Sequence, residues 1–199
     1  NYLGGIVGTL ASGEIKGSFN NGVVTGSTGR ATMGGLIGRM TGGRLSNSYN
    51  RGLTYNGHSY VGGITGSKAP AATIVNTYSA AEVSSVNNPT GGITENSNLT
   101  NVTNTFYDIT VIANYVQPSS RVKPVSTPSD VGVDTGVFIS QMENKLREDW
   151  VYTKMDQTYG YYTELKAFKN STNEFVRNES YKSIVVELGD GLGTIDFPK

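Results

Sequence analysis

A chain of 199 residues is long enough for one elongated domain, or for a domain with an appendage. Its 16 Lys and Arg balance 16 Asp and Glu, so no general field draws nucleic acid or an anionic membrane surface. Cysteine is absent, which excludes disulfides, thiolate metal sites and Cys nucleophiles, and no apolar run reaches the roughly 18 residues of a membrane-spanning helix.

In chain order, the first feature is a repeat. The string LGGIVG begins at Leu3, MGGLIG at Met33, VGGITG at Val61 and TGGITE at Thr90. The glycine pairs are Gly4 and Gly5, Gly34 and Gly35, Gly62 and Gly63, and Gly91 and Gly92, spaced by 30, 28 and 29 residues. A second string keeps step with the first: IKGSFNNG from Ile15, LSNSYNRG from Leu45, IVNTYSAA from Ile74 and VTNTFYD from Val102. Two strings in register through four copies define a repeat architecture.

Each copy divides into short extended pieces separated by Gly, Asn and Ser, which form turns. In the second copy the expected strands are Leu36–Met40, Leu45–Tyr49 and Leu53–Tyr55, and no helical period is sustained over 1–107. Three strands and three corners per copy predict one turn of a β-solenoid, mainly β and parallel β-helix-like, of about four turns. Four turns at about 4.8 Å give a column of roughly 15–20 Å. The paired glycines are expected at a corner that demands positive φ or close backbone approach. Ile6, Leu36, Ile64 and Ile93 are expected to stack inside, as are Ile15, Leu45, Ile74 and Val102. Phe19, Tyr49, Tyr78 and Phe106 are expected to form an aromatic ladder, beside a hydroxyl series of Ser18, Ser48, Thr77 and Thr105.

Gly-Leu-Ile-Gly from Gly35 and Gly-Ile-Val-Gly from Gly5, each followed by an apolar residue and then Ser-Tyr-Asn or Ser-Phe-Asn, resemble the GLUG repeat. GITG at Gly63 is similar, and GITE at Gly92 departs at its last position, which marks the fourth copy as a degenerate terminal turn. The resemblance covers about residues 2–107 and extends toward 168. It implies a repeat scaffold in an exported bacterial protein, either an adhesin-like cell-wall protein or the accessory region of an IgA-specific metalloprotease. It implies no catalytic residue. The implied setting is extracellular or cell-wall associated, and the implied partner is a host protein or a glycan. The chain opens at Asn1 directly on a repeat, so it reads as a fragment with targeting signals elsewhere, and the fragment is expected to be a monomer.

Composition changes near residue 107: 20 of 26 glycines precede it. A cap with a loop and one helix is expected over 108–168, and a β-hairpin or the start of a further module over 169–199. The helix is placed at 140–148, where Ser140 and Glu143 form a capping box and Ile139, Met142 and Leu146 share a face. It is expected to end near Trp150. Gly160-Tyr161-Tyr162-Thr163-Glu164-Leu165 resembles the stretch that closes GLUG arrays, with Tyr162 where Pro is usual.

The chain carries little hydrolytic chemistry. A zinc protease needs His-Glu-x-x-His, and a Ser-His-Asp triad needs a positioned imidazole, yet the one histidine is His58, in a turn. GITGSK over 63–68 lacks the Gly-Lys-Ser/Thr ending of a phosphate loop. The 189–193 stretch around Asp190 lacks dinucleotide spacing and the clustered oxygens that calcium requires. Residues 1–107 hold three carboxylates, Glu14, Glu82 and Glu95. No catalytic, cofactor-binding or metal-binding residue is assigned. A structural or adhesive module is the expected function, with glycan binding through aromatic side chains a further reading.

Overall fold

The computed structural model describes residues 1–26, 31–57, 60–85, 90–95 and 99–108, and four short strands beyond them at 122–126, 137–138, 150–152 and 163–165. The expected helix at 140–148, the turn at His58, Gly160–Tyr162 and the 169–199 segment lie outside the described residues.

The chain winds as a parallel β-solenoid. The first coil holds β1 (Tyr2–Gly4), β2 (Val7–Leu10), β3 (Glu14–Lys16), β4 (Phe19–Asn20) and β5 (Val24–Thr25). The second holds β6 (Thr32–Gly34), β7 (Ile37–Met40), β8 (Arg44–Asn50) and β9 (Thr54–Gly57). The third holds β10 (Val61–Gly62), β11 (Thr65–Lys68), β12 (Thr73–Ser79) and β13 (Val83–Ser85), and the fourth retains β14 (Thr90–Gly91) and β15 (Val102–Asp108). Equivalent strands stack in parallel into four sheets. Sheet A is β1-β6-β10-β14, sheet B is β2-β7-β11, sheet D is β5-β9-β13, and sheet C contains β3 and β4, then β8, β12 and β15. This makes three full turns and part of a fourth. In the fourth coil, the described part of sheet B is the bridge Thr65↔Thr94.

Each full turn therefore contributes to four sheets, where the sequence suggests three strands per turn; in the first coil the sheet C strand is split into β3 and β4. The strand missed is that of sheet A. It spans two or three residues and ends on glycine, so no period or propensity betrays it; the coil next to it supplies the pairing, as in Leu3↔Met33 and Val61↔Met33. The other expected strands are found with their ends shifted: Leu36–Met40 is Ile37–Met40, Leu45–Tyr49 is Arg44–Asn50, and Leu53–Tyr55 is Thr54–Gly57.

Beyond the repeat, β16 (Val122–Ser126) joins β15 in parallel and β17 (Val137–Phe138) joins β16, so among the described residues sheet C continues past the fourth coil. β18 (Trp150–Tyr152) and β19 (Thr163–Leu165) form a separate antiparallel hairpin. Trp150 thus sits in a strand.

The interior is an aliphatic stack. Leu36, Ile64 and Ile93 form one row and Leu45, Ile74 and Val102 another, all at most 2% exposed. Each such side chain contributes about 1.5–3 kcal/mol on burial. The first-coil members differ: Ile15 is only partly buried and Ile6 is 41% exposed, because in the described structure coils pack on one side of them alone.

Candidate functional site

The residues singled out from sequence converge on two places, a glycine seam inside the column and an aromatic row on sheet C. The seam lies where sheets A and C approach. None of the eight paired glycines has a positive φ; that conformation falls on Gly13, Gly17 and Gly43. Close approach is what demands the pairs. A Cβ on the first glycine of a pair would strike a carbonyl of its own coil, that of Val7 for Gly4, Ile37 for Gly34, Thr65 for Gly62 and Thr94 for Gly91; it would also crowd the next coil, 2.6 Å from the Gly38 nitrogen for Gly4, 2.5 Å from the Thr65 Cα for Gly34 and 2.9 Å from the Thr94 Cα for Gly62. A Cβ on the second would strike a side chain of its own coil: Asn20 for Gly5, Asn50 for Gly35, Ser79 for Gly63 and Tyr107 for Gly92.

That contact joins the two repeated strings. Asn20 Nδ2 donates to the Gly35 carbonyl at 3.0 Å, and Asn50 Nδ2 donates to the Gly63 carbonyl at 2.8 Å. Each asparagine therefore lies on the glycine pair of its own coil and clamps that of the next. Asn20 Nδ2 also donates to Asn50 Oδ1 at 3.1 Å, and each Oδ1 accepts a turn amide, from Gly22 and Gly52. The series ends at Ser79, whose buried Oγ has no partner among the described residues, beneath the bulky Tyr107 of the next coil.

A second device bends sheet C. Asn47, Asn76 and Asn104 have φ of 46°, 51° and 46°, and Gly17 has 61° at the equivalent place. Asparagine and glycine are the residues that tolerate this left-handed conformation. The ladder skips the bend, pairing Val75 with Ser46 and then Thr77 with Ser48. The hydroxyl series spans it. Ser18, Ser48, Thr77 and Thr105 each donate to the carbonyl two residues back, at 3.1, 2.8, 3.0 and 2.9 Å. No task for these hydroxyls follows from the sequence alone. The signal available was the exchange of Gly for Asn at one repeat position.

The bend sets the facing of the aromatic row. Asn50 points across the lumen to the glycine seam, so Tyr49, its neighbour in an extended strand, points outward. Phe19, Tyr49 and Tyr78 stack with centroids 5.1 Å apart and interplanar angles of 11° and 7°. Phe106 lies in register with Tyr78 at the end of the row. Arg51 sits over it, its Cζ 4.5 Å from the Tyr49 centroid and 5.7 Å from that of Tyr78, with Nε donating to Tyr78 Oη at 2.8 Å. Tyr49, Tyr78, Phe106 and Arg51 are all at most 1% exposed. Such rings offer no stacking platform to a sugar in this state. The exposed aromatic–cation pair is Tyr2 and Arg39, joined by a 2.7 Å hydrogen bond.

Two charged groups lie where the repeat places apolar or small ones. Lys68 occupies the inward position of Met40 and Leu10, and its Nζ donates to the carbonyls of Ala69 and Thr100. Burial pulls its pKa down to about 8. The GITGSK stretch is thus turn and strand, with its lysine committed to main-chain carbonyls. Glu95 follows Thr94 as Gly66 follows Thr65, and burial pushes its carboxyl upward. Glu14 is at the surface, where its Oε1 accepts from Arg44 Nε at 3.2 Å and Ser46 Oγ at 2.8 Å. Among the described residues no three His, Cys, Asp or Glu side chains converge as metal ligands. No helix among them is long and apolar enough to cross a membrane.

No protein family, curated protein or solved structure matches the chain.

Proposed function

We propose that this chain is a non-catalytic structural and adhesive repeat module of an exported bacterial surface protein. The observation that carries the reading is the seam. The most specific residues of the repeat, the glycine pair and the asparagine that clamps it, are engaged in joining one coil to the next. Such a design builds length and a regular side wall. The GLUG-like strings supply the extracellular or cell-wall setting and the expectation of a host protein or glycan as partner.

The test is to coat beads with the purified chain, present them to host cell surfaces and a glycan array, and assay immunoglobulin and polysaccharide turnover in parallel. Bead attachment without turnover is expected. Turnover that disappears on replacing Glu14, Glu82 or Glu95 with the matching amide would overturn the non-catalytic reading.

A further inference from the structure

We propose that the β18–β19 hairpin lies on the outer face of sheet C and is the cover of the Tyr49–Tyr78–Phe106 row. Side chains at 50, 79 and 107 face the seam, so those at 49, 78 and 106 face out of the column. An outward row on a solenoid wall is open to solvent unless something lies on it. The same face provides a comparison in coils three and four: before the bend, Val75 is half-buried and Thr103 is exposed, while in coil two Ser46 is closed over by Glu14, to which its Oγ donates. Beyond the bend, Tyr49, Tyr78 and Phe106 are at most 1% exposed, and Arg51 and Asp108 beside them at most 2%. Phe19, in the first coil, is half-buried. The cover therefore spans coils two to four, over the latter half of the sheet C strands.

The hairpin has the complementary need. Its strands are three residues long and, among the described residues, pair only with each other, and two such short strands cannot bury a leucine by themselves. Yet Leu165 is 2% exposed and is not part of the aliphatic cluster inside the column. The chain also leaves the repeat along sheet C, through β16 and β17, which brings it to the wall that needs covering. A buried row without a cover among the coils and a buried hairpin residue without a place in the core are accounted for by one contact.

The test uses the full chain and hydroxyl-radical footprinting read residue by residue. In the parent protein, Tyr49 and Tyr78 should label several-fold less than Tyr2 and Tyr60, which are 43% and 50% exposed. In Leu165→Asp, labelling of Tyr49 and Tyr78 should rise toward those two, with amide protection of β8 and β12 retained. Unchanged labelling of both rings, with loss of amide protection in β18 and β19, would overturn the proposal. A double-mutant cycle covers the case in which that variant fails to fold. The urea midpoint shift of Tyr78→Phe combined with Leu165→Ala should be smaller than the sum of the single shifts, and strict additivity would equally overturn it.

Discussion

Asn50 holds the glycine pairs of two successive coils: its side chain lies against Gly35 in its own turn, and its Nδ2 donates to the carbonyl of Gly63 in the next at 2.8 Å. Its Oδ1 meanwhile accepts the amide of Gly52 at 3.1 Å. The side chain is fully buried, so water cannot replace what it provides. Asn50→Ala should lower unfolding stability by about 2–4 kcal/mol, since a donor and an acceptor lose their partner together. Urea denaturation measures this, and an unchanged midpoint would remove the clamp from the account.

The glycines should separate into two classes. Gly35→Val and Gly63→Val should each cost more than about 2 kcal/mol, because the new side chain meets the backbone of the next coil and a packed side chain, Asn50 for Gly35 and Ser79 for Gly63. Gly17→Asn should lie within about 0.5 kcal/mol of the parent, because asparagine already holds the same left-handed conformation in the next three coils and nothing lies within 4 Å of the added Cβ. Equal costs at both kinds of position, read from denaturant midpoints, would contradict the distinction.

Lys68 should give the column a rising stability on the alkaline side. Unfolded, it keeps its proton to about pH 10.5, whereas in the column it releases it near 8. Between those values the unfolded chain binds more protons, so stability increases with pH, and the destabilisation is complete below 8. Lys68→Met should abolish that slope and raise the midpoint at neutral pH, since Met40 fills the equivalent place one coil earlier. Melts across the alkaline range decide the matter; a slope retained in the variant would locate it elsewhere.

Glu95 should act on the acid side with the opposite slope. Its folded pKa is raised, so protonation favours the column; this contribution is fully present below the ordinary carboxylate value and lost as pH climbs through the raised folded value. Glu95→Gln should raise the melting temperature at neutral pH by a few degrees and leave it almost unchanged in mild acid. A variant less stable than the parent at neutral pH would mean that the ionised carboxylate has a stabilising partner.

Much of the column could be read from the residues because its order is local and repeated. The rows of Leu45, Ile74 and Val102 and of Phe19, Tyr49 and Tyr78 sit at fixed offsets from the glycine pairs, and parallel stacking turns a fixed offset into a neighbour. What escaped reading depends on contacts between coils and across the lumen of one coil. The sheet A strands are too short to carry a pattern, and the purpose of each second glycine becomes visible only when Asn20 or Asn50 is seen against it. The outward facing of the aromatic row escaped for a related reason. A single left-handed residue resets the alternation, and sequence alternation alone would misplace every side chain after Asn47.

In this column the peptide hydrogen bonds that join the coils run along the axis, in series with any pull on its two ends. Every coil boundary then carries the same tension, and turns release one after another as the weakest boundary yields. Each released turn, 28 to 30 residues by the glycine spacing, adds roughly 100 Å of slack at about 3.4 Å per residue, in exchange for about 4.8 Å of column. Under load such a stack would lengthen in discrete steps, with Asn20 and Asn50 reinforcing the first two boundaries and, among the described residues, no equivalent clamp at Ser79.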